Sequence, residues 1–227
     1  IRQMIHQAFE CGICPHQQEH HDRHQRHGND QSQQQCAALF AGGACGLAGL
    51  PEFSHENHGR KFYRFYLEVP RLSGVIDRLS VVTDDRVLNA LDLDGGSMLT
   101  VTGQVRSHNL RKDGARRLMI FVYAQSIIAE EGDPINEVIL EGPVCKEPVY
   151  RRTPLGREIC DVMLAVPRSF HRADYLPCIL WGQVAREASE CHIRDVIRIR
   201  GRLQSRSYTK VTEEGAYERI AYEISAL

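Results

Sequence analysis

The sequence predicts an all-β protein: two tandem five-stranded barrels, each with a short helix, behind a disordered N-terminal tail. Three observations carry the prediction. Short strand-like segments separated by turn residues crowd the chain from residue 36 onward, the density of a sandwich or barrel. Several of those segments return, in order, about 97 to 100 residues later, which marks a tandem duplication. Residues 1–35 are rich in His and Gln and show neither helical nor strand period, so they bury too little apolar surface to offset the entropy of ordering. The expected division is a tail over 1–35, a first unit over 36–131 and a second over 136–227.

The 227 residues carry a formal net charge of −1, and 42% are hydrophobic, enough for an ordinary core. A charge near zero excludes a general polyanion sponge, so any basic groove has to be local. There is no long apolar run and no apolar N-terminal signal segment, so the expectation is a cytoplasmic protein with no membrane contact. The eight cysteines have irregular spacings, and Cys145, Cys160 and Cys178 fall within apolar strand patterns, so they read as reduced. In the tail, Cys11, Cys14, His16 and His20 spell out a conceivable zinc set. A structural zinc site normally has paired ligand motifs, and no second pair follows; the expectation is no metal and no other cofactor.

In chain order, Ala37–Gly42 opens an apolar segment, and turn signals follow at Pro51 and Asn57-His58-Gly59. Lys61–Arg71, dense in aromatics, is a strand, and Asp77–Val82 is another. Thr83–Leu88 places an N-cap residue before a short helical pattern. Leu99–Arg106 alternates, Arg117–Ala124 completes the unit, and Glu130–Pro134 is a linker. The second copy repeats the series. Leu67-Glu68-Val69-Pro70-Arg71 returns as Leu164-Ala165-Val166-Pro167-Arg168, and Val101–Ser107 returns as Ile199–Ser205.

Alternation assigns faces. Leu99, Val101, Gly103 and Val105 point inward in the first copy, and Ile197, Ile199 and Leu203 in the second, with Arg198, Arg200 and Arg202 outward. Gly201 interrupts the inward row, as a glycine does where a strand bends to close a small barrel. Five strands, a helix before the fourth and glycine-kinked closure indicate an OB-fold.

Asn136–Gly142, Arg152–Gly156, Leu164-Ala165-Val166, Leu176–Gly182 and Gly201–Tyr208 together resemble the bacterial single-stranded DNA-binding protein family, over essentially all of 136–227. Residues 37–131 resemble it only through the internal repeat, and the arrangement is similar to the tandem-OB form of clostridia-like bacteria. The resemblance implies base stacking on Phe170, Tyr175, Trp181 and Tyr208, since every base offers a π-face. It also implies basic residues at Arg151 and Arg206. Arg152, Arg157, Arg168, Arg172 and Arg202 are further candidates to track phosphates, because a guanidinium fork suits phosphate oxygens, and Lys210, in the loop expected after Tyr208, is placed to reach the strand. Arg198 and Arg200 read as solvated decoration.

The first copy departs from the pattern: Leu72, Leu79, Val82 and Asn109 stand at or near the aromatic places. The expectation there is a scaffold or oligomer surface, with Arg71, Arg106 and Arg111 as weak contacts. Its aromatics Phe62, Tyr63, Phe65 and Tyr66 share one strand, so at least half must face the core. The acidic C-terminal tail that many family members carry is not found before Leu227, which leaves recruitment of partners through such a tail unsupported.

The function implied is binding of single-stranded DNA in replication, recombination and repair, by a homodimer with four OB units that meets replication and repair proteins. No paired carboxylates, P-loop or Ser/His/Asp arrangement points to an enzyme, and His55, His58, His108, His171 and His192 are scattered. The alternatives are a primosome-type protein-interaction module with weak nucleic-acid binding, and an RNA-binding OB protein.

Overall fold

The computed structural model describes residues 38–226, apart from 90, 92, 95, 113, 114, 213 and 214. The predicted disorder of 1–35 and the Cys11/Cys14/His16/His20 cluster lie outside the described residues.

The first unit runs β1 (Leu39–Leu47), β2 (Glu52–Asn57), β3 (Arg60–Pro70), β4 (Ile76–Asp84), α1 (Asp85–Leu88), β5 (Met98–Lys112) and β6 (Ala115–Ala129). The second repeats it as β7 (Ile135–Pro143), β8 (Val149–Arg152), β9 (Glu158–Arg168), β10 (Arg172–Trp181), α2 (Gly182–Ser189), β11 (Val196–Thr212) and β12 (Gly215–Ala226). Glu130–Pro134 between them is outside any strand.

Each unit closes on itself. In the first, β1 pairs with β3, β3 with β4, β4 with β6 in parallel, β6 with β5, and β5 with β1. In the second, β9, β10, β12, β11 and β7 follow the same circuit, and the bridge between Val144 and Leu164 completes it. Five strands thus form each ring, as the sequence predicts. The additional strands β2 and β8 pair only with β3 and β9, outside the ring.

The alternation fills the rings. Leu67, Leu79, Val81, Leu99, Val101 and Val122 are buried in the first; Leu164, Leu176, Cys178, Leu180, Ile199, Leu203 and Ile224 are buried in the second. Burying each leucine contributes about 1.5–3 kcal/mol. Phe65 of the aromatic strand faces the core at 2% exposure, while Phe62 and Tyr66 are only half-buried. Gly201 sits where a Cβ would stand 2.5 Å from the Ser225 carbonyl of β12, so closure there requires glycine. Gly103 makes the same close approach to β6, at a shift in the ladder register. The free cysteines Cys45, Cys160 and Cys178 are buried, and Cys145 is partly so.

The two rings are joined as one sheet. β1 and β7 pair antiparallel, Leu39 opposite Ile139 through Gly43 opposite Ile135. A pair of acid latches flanks this seam. Asp77, wholly buried on β4, accepts from the Ser205 N–H of β11 at 2.6 Å and from the Arg71 guanidinium at 2.6 Å. Asp174, 1% exposed on β10, accepts from the Ser107 N–H of β5 at 2.6 Å and from Arg106 and Arg168. Among the described residues no helix is long and apolar enough to cross a membrane.

Candidate nucleic-acid interface

The outer face of β10 follows from its burial. Leu176, Cys178 and Leu180 point into the ring, so Tyr175 and Trp181 point out. Tyr175 is 46% exposed; its backbone N–H is fixed by the Ser107 Oγ at 2.8 Å. Trp181 is half-buried, and its indole Nε1 donates to Ser225 Oγ at 3.1 Å, which sets the ring against β12. Phe170 stands in the β9–β10 turn at 90% exposure. Both it and His171 have left-handed backbones, with φ of 61° and 55°. Two adjacent non-glycine residues in that region hold a costly conformation, here used to display a phenyl ring to solvent. Tyr208 lies further out on the β11–β12 hairpin, 39% exposed, opposite Arg219.

The arginines divide by partner. Arg151 pairs with Asp161 at 2.8 Å, Arg152 with Glu158 at 3.2 Å, and Arg168 with the buried Asp174 at 3.3 Å. Glu158 also accepts from Tyr150 and Arg186, and the Tyr150 hydroxyl is the largest influence holding its carboxyl below the usual range. Arg172 and Arg206 are exposed and form no ion pair among the described residues. Arg202 and Trp181 line one cavity of about 580 Å³, together with Arg157 and with Arg71 from the first unit. Arg202 also has a buried Nε with no hydrogen-bond partner among the described residues.

Of the ten predicted residues, then, Trp181 and Arg202 share a cavity. Phe170, Tyr175, Tyr208, Arg172 and Arg206 are displayed separately, and Arg151, Arg152 and Arg168 are already paired. In the first unit Arg71 and Arg106 serve the buried latches, and Arg111 is exposed.

Sequence reasoning missed a larger groove, about 980 Å³, across the outer face of the first ring. Phe62, Tyr66, Phe121 and Tyr123 line it beside Arg64, Arg78 and Arg117. The guanidinium of Arg78 lies 4.6 Å from the Tyr66 ring centre, a cation–π contact. β12 of the second unit supplies one wall with Arg219 and Tyr222. Alternation in the aromatic strand gave half the signal, since it sets Phe62 and Tyr66 opposite Phe65. Nothing local announces that β6 brings Tyr123 to the same place.

The profile of the Single-strand binding protein family matches residues 135–226. Single-stranded DNA-binding protein B of Bacillus subtilis is 39% identical over 87 residues, covering 35% of this chain and 75% of that one. The Single-stranded DNA-binding protein of Thermus aquaticus is 26% identical over 147 residues, and the chain spans 56% of its length. The crystal structure of the wild-type Thermus aquaticus protein superimposes with a TM-score of 0.67 at 25% identity, covering 84% of this chain and 90% of that one.

Proposed function

Because this chain belongs to the single-strand binding protein family, we propose that it binds single-stranded DNA without regard to sequence and serves replication, recombination and repair. The cavity lined by both Trp181 and Arg202 carries the reading. An indole face takes a base, worth about 1–3 kcal/mol by stacking, and an arginine guanidinium in the same cavity takes a phosphate. Phe170, Tyr175 and Tyr208 extend the stacking surface, and Arg172 and Arg206 follow the backbone between them. The three paired arginines enter as weaker contacts, since a phosphate must first displace Asp161, Glu158 or Asp174.

The two units, 36–131 and 136–227, act as tandem OB domains of a binding protein with no chemical step of its own. Two chains assemble as a homodimer of four such units, in the cytoplasm at the nucleoid. Fluorescence anisotropy with labelled oligo-dT, a duplex of equal length and an oligo-U RNA tests the proposal. Tight binding of oligo-dT that weakens steeply with salt, with the duplex weaker, is the expected result. Equal preference for RNA, or no binding at low salt, overturns it.

A further inference from the structure

Part of one edge of β10 has no strand beside it. On one side β10 pairs with β9 from Arg172 to Trp181; on the other it meets β12 only from Cys178 to Leu180. An antiparallel strand turns its N–H groups alternately toward its partner and away from it. The N–H of Tyr175 turns away from β9, at a position before the β12 ladder begins. The first unit fills the gap. Ser107, 7% exposed on β5, accepts that N–H on its Oγ at 2.8 Å. Its own N–H donates to Asp174 Oδ1 at 2.6 Å. One serine of one barrel therefore clamps two consecutive residues of the other, Asp174 through its main chain and Tyr175 through its side chain.

The clamp lies beneath a displayed ring. Asp174 is buried and Tyr175 is 46% exposed, because β10 alternates there. Among the described residues no hydrogen bond or ring contact fixes the phenol itself, so the ring stands where its backbone puts it. The mirror serine, Ser205, clamps Asp77 and Arg78 in the same way, at 2.6 Å and 3.0 Å. There the displayed residue is an exposed arginine. Two equal clamps thus hold unlike side chains, which separates what a clamp does for the seam from what it does for the residue above it.

We infer that Ser107 of the first unit is a positioning residue for the base-stacking ring of Tyr175 in the second. The inference rests on the function proposed above. Ser107 touches no base. It fixes the Tyr175 backbone across the seam, so the ring is ordered before a strand arrives and less order has to be imposed on binding.

Ser107→Ala is a narrow change. It removes the Oγ and keeps the N–H, so the bond to Asp174 survives and the Tyr175 anchor alone is lost. Ser107→Thr keeps the hydroxyl. Affinity of the full chain for labelled oligo-dT of about 10 nucleotides is read by anisotropy, and urea unfolding shows that each variant is folded. Ser107→Ala is expected to weaken binding about three- to tenfold, the factor one hydrogen bond supplies, and Ser107→Thr to bind as the wild type does. Added to Tyr175→Ala, Ser107→Ala is expected to weaken binding no further, because no ring is left to position. Ser205→Ala, the mirror change, is expected to have the same effect with and without Tyr175→Ala. Unchanged affinity in Ser107→Ala overturns the inference, as does an equal loss from it with and without Tyr175→Ala. So does a Tyr175→Ala variant that binds like the wild type, or a Ser205→Ala effect that also vanishes with Tyr175→Ala. Each of these leaves the function standing. Failure of the wild-type chain to bind oligo-dT overturns the function itself.

Discussion

The Ser205 N–H donates to Asp77 Oδ1 at 2.6 Å, from one barrel to the other. The Arg78 N–H returns the contact to Ser205 Oγ at 3.0 Å. The mirror set runs from Ser107 to Asp174, with Tyr175 N–H on Ser107 Oγ. Such reciprocity is what a duplicated chain produces when its halves pack about a pseudo-twofold axis. Both acids are buried, so each needs its full set of donors. Asp77→Ala strands the Arg71 guanidinium and the Ser205 N–H and is expected to cost about 3 kcal/mol in urea unfolding. Asp77→Asn, which keeps an acceptor for Ser205, is expected to cost less. A loss under about 1 kcal/mol for the alanine variant would mean the latch behaves as a surface pair.

Ring closure gives a second prediction. A Cβ at Gly201 would lie 2.5 Å from the Ser225 carbonyl, a backbone atom that cannot swing aside. Gly201→Ala is expected to destabilise by about 1–3 kcal/mol through overpacking, read as a lower urea midpoint at unchanged slope. A neutral result would show that β12 can separate from β11 without cost.

His108, at the edge of the first groove, has its pKa lowered by partial burial, then by Arg64 and His55. Its neutral form is the one the fold favours, so its contribution to stability is present above the ordinary histidine pKa and is lost as the pH falls through the lowered one. Arg64, Arg117, His55 and Glu218 share the groove with it. Stability to urea is expected to fall as the pH drops from about 7.5 to about 5.5, and His108→Gln to remove part of that fall. Identical pH profiles for the two proteins would contradict this.

Burial governs the thiols. It pushes Cys45 and Cys160 up to about 11 and Cys178 higher still. At pH about 8 the native chain is expected to leave all three unmodified by an aromatic disulfide reagent, and urea to release them together. Peptide mapping of the modified cysteines checks it. Rapid native labelling of Cys178 would show that the second ring opens locally.

The ring strands were legible because alternation is a local signal. Leu99, Val101 and Val105 against Thr100, Thr102 and Gln104 specify one face of β5 without reference to any partner. The outer half of β5, from Ser107 to Lys112, has no apolar row, so its extension into a hairpin arm with β6 was not legible. Asp77 and Asp174 carry no local signal of their burial, which comes with their cross-barrel bonds to Ser205 and Ser107. The resemblance of 136–227 pointed to Trp181 and Tyr175 by position. The part of Tyr123 in the first groove was hidden because it lies on β6: its equivalence with Ser225 exists in strand register and not in sequence order.

Trp181 is the only tryptophan in the chain, so the protein carries its own reporter at the proposed site. Titration with oligo-dT at low and high salt, followed by tryptophan emission, tests the central claim most directly. Strong quenching at low salt, with the midpoint moving to higher oligonucleotide concentration as salt rises, is the predicted result. Binding with unchanged Trp181 emission would contradict the placement of a base on its indole, and no binding at low salt would contradict the function.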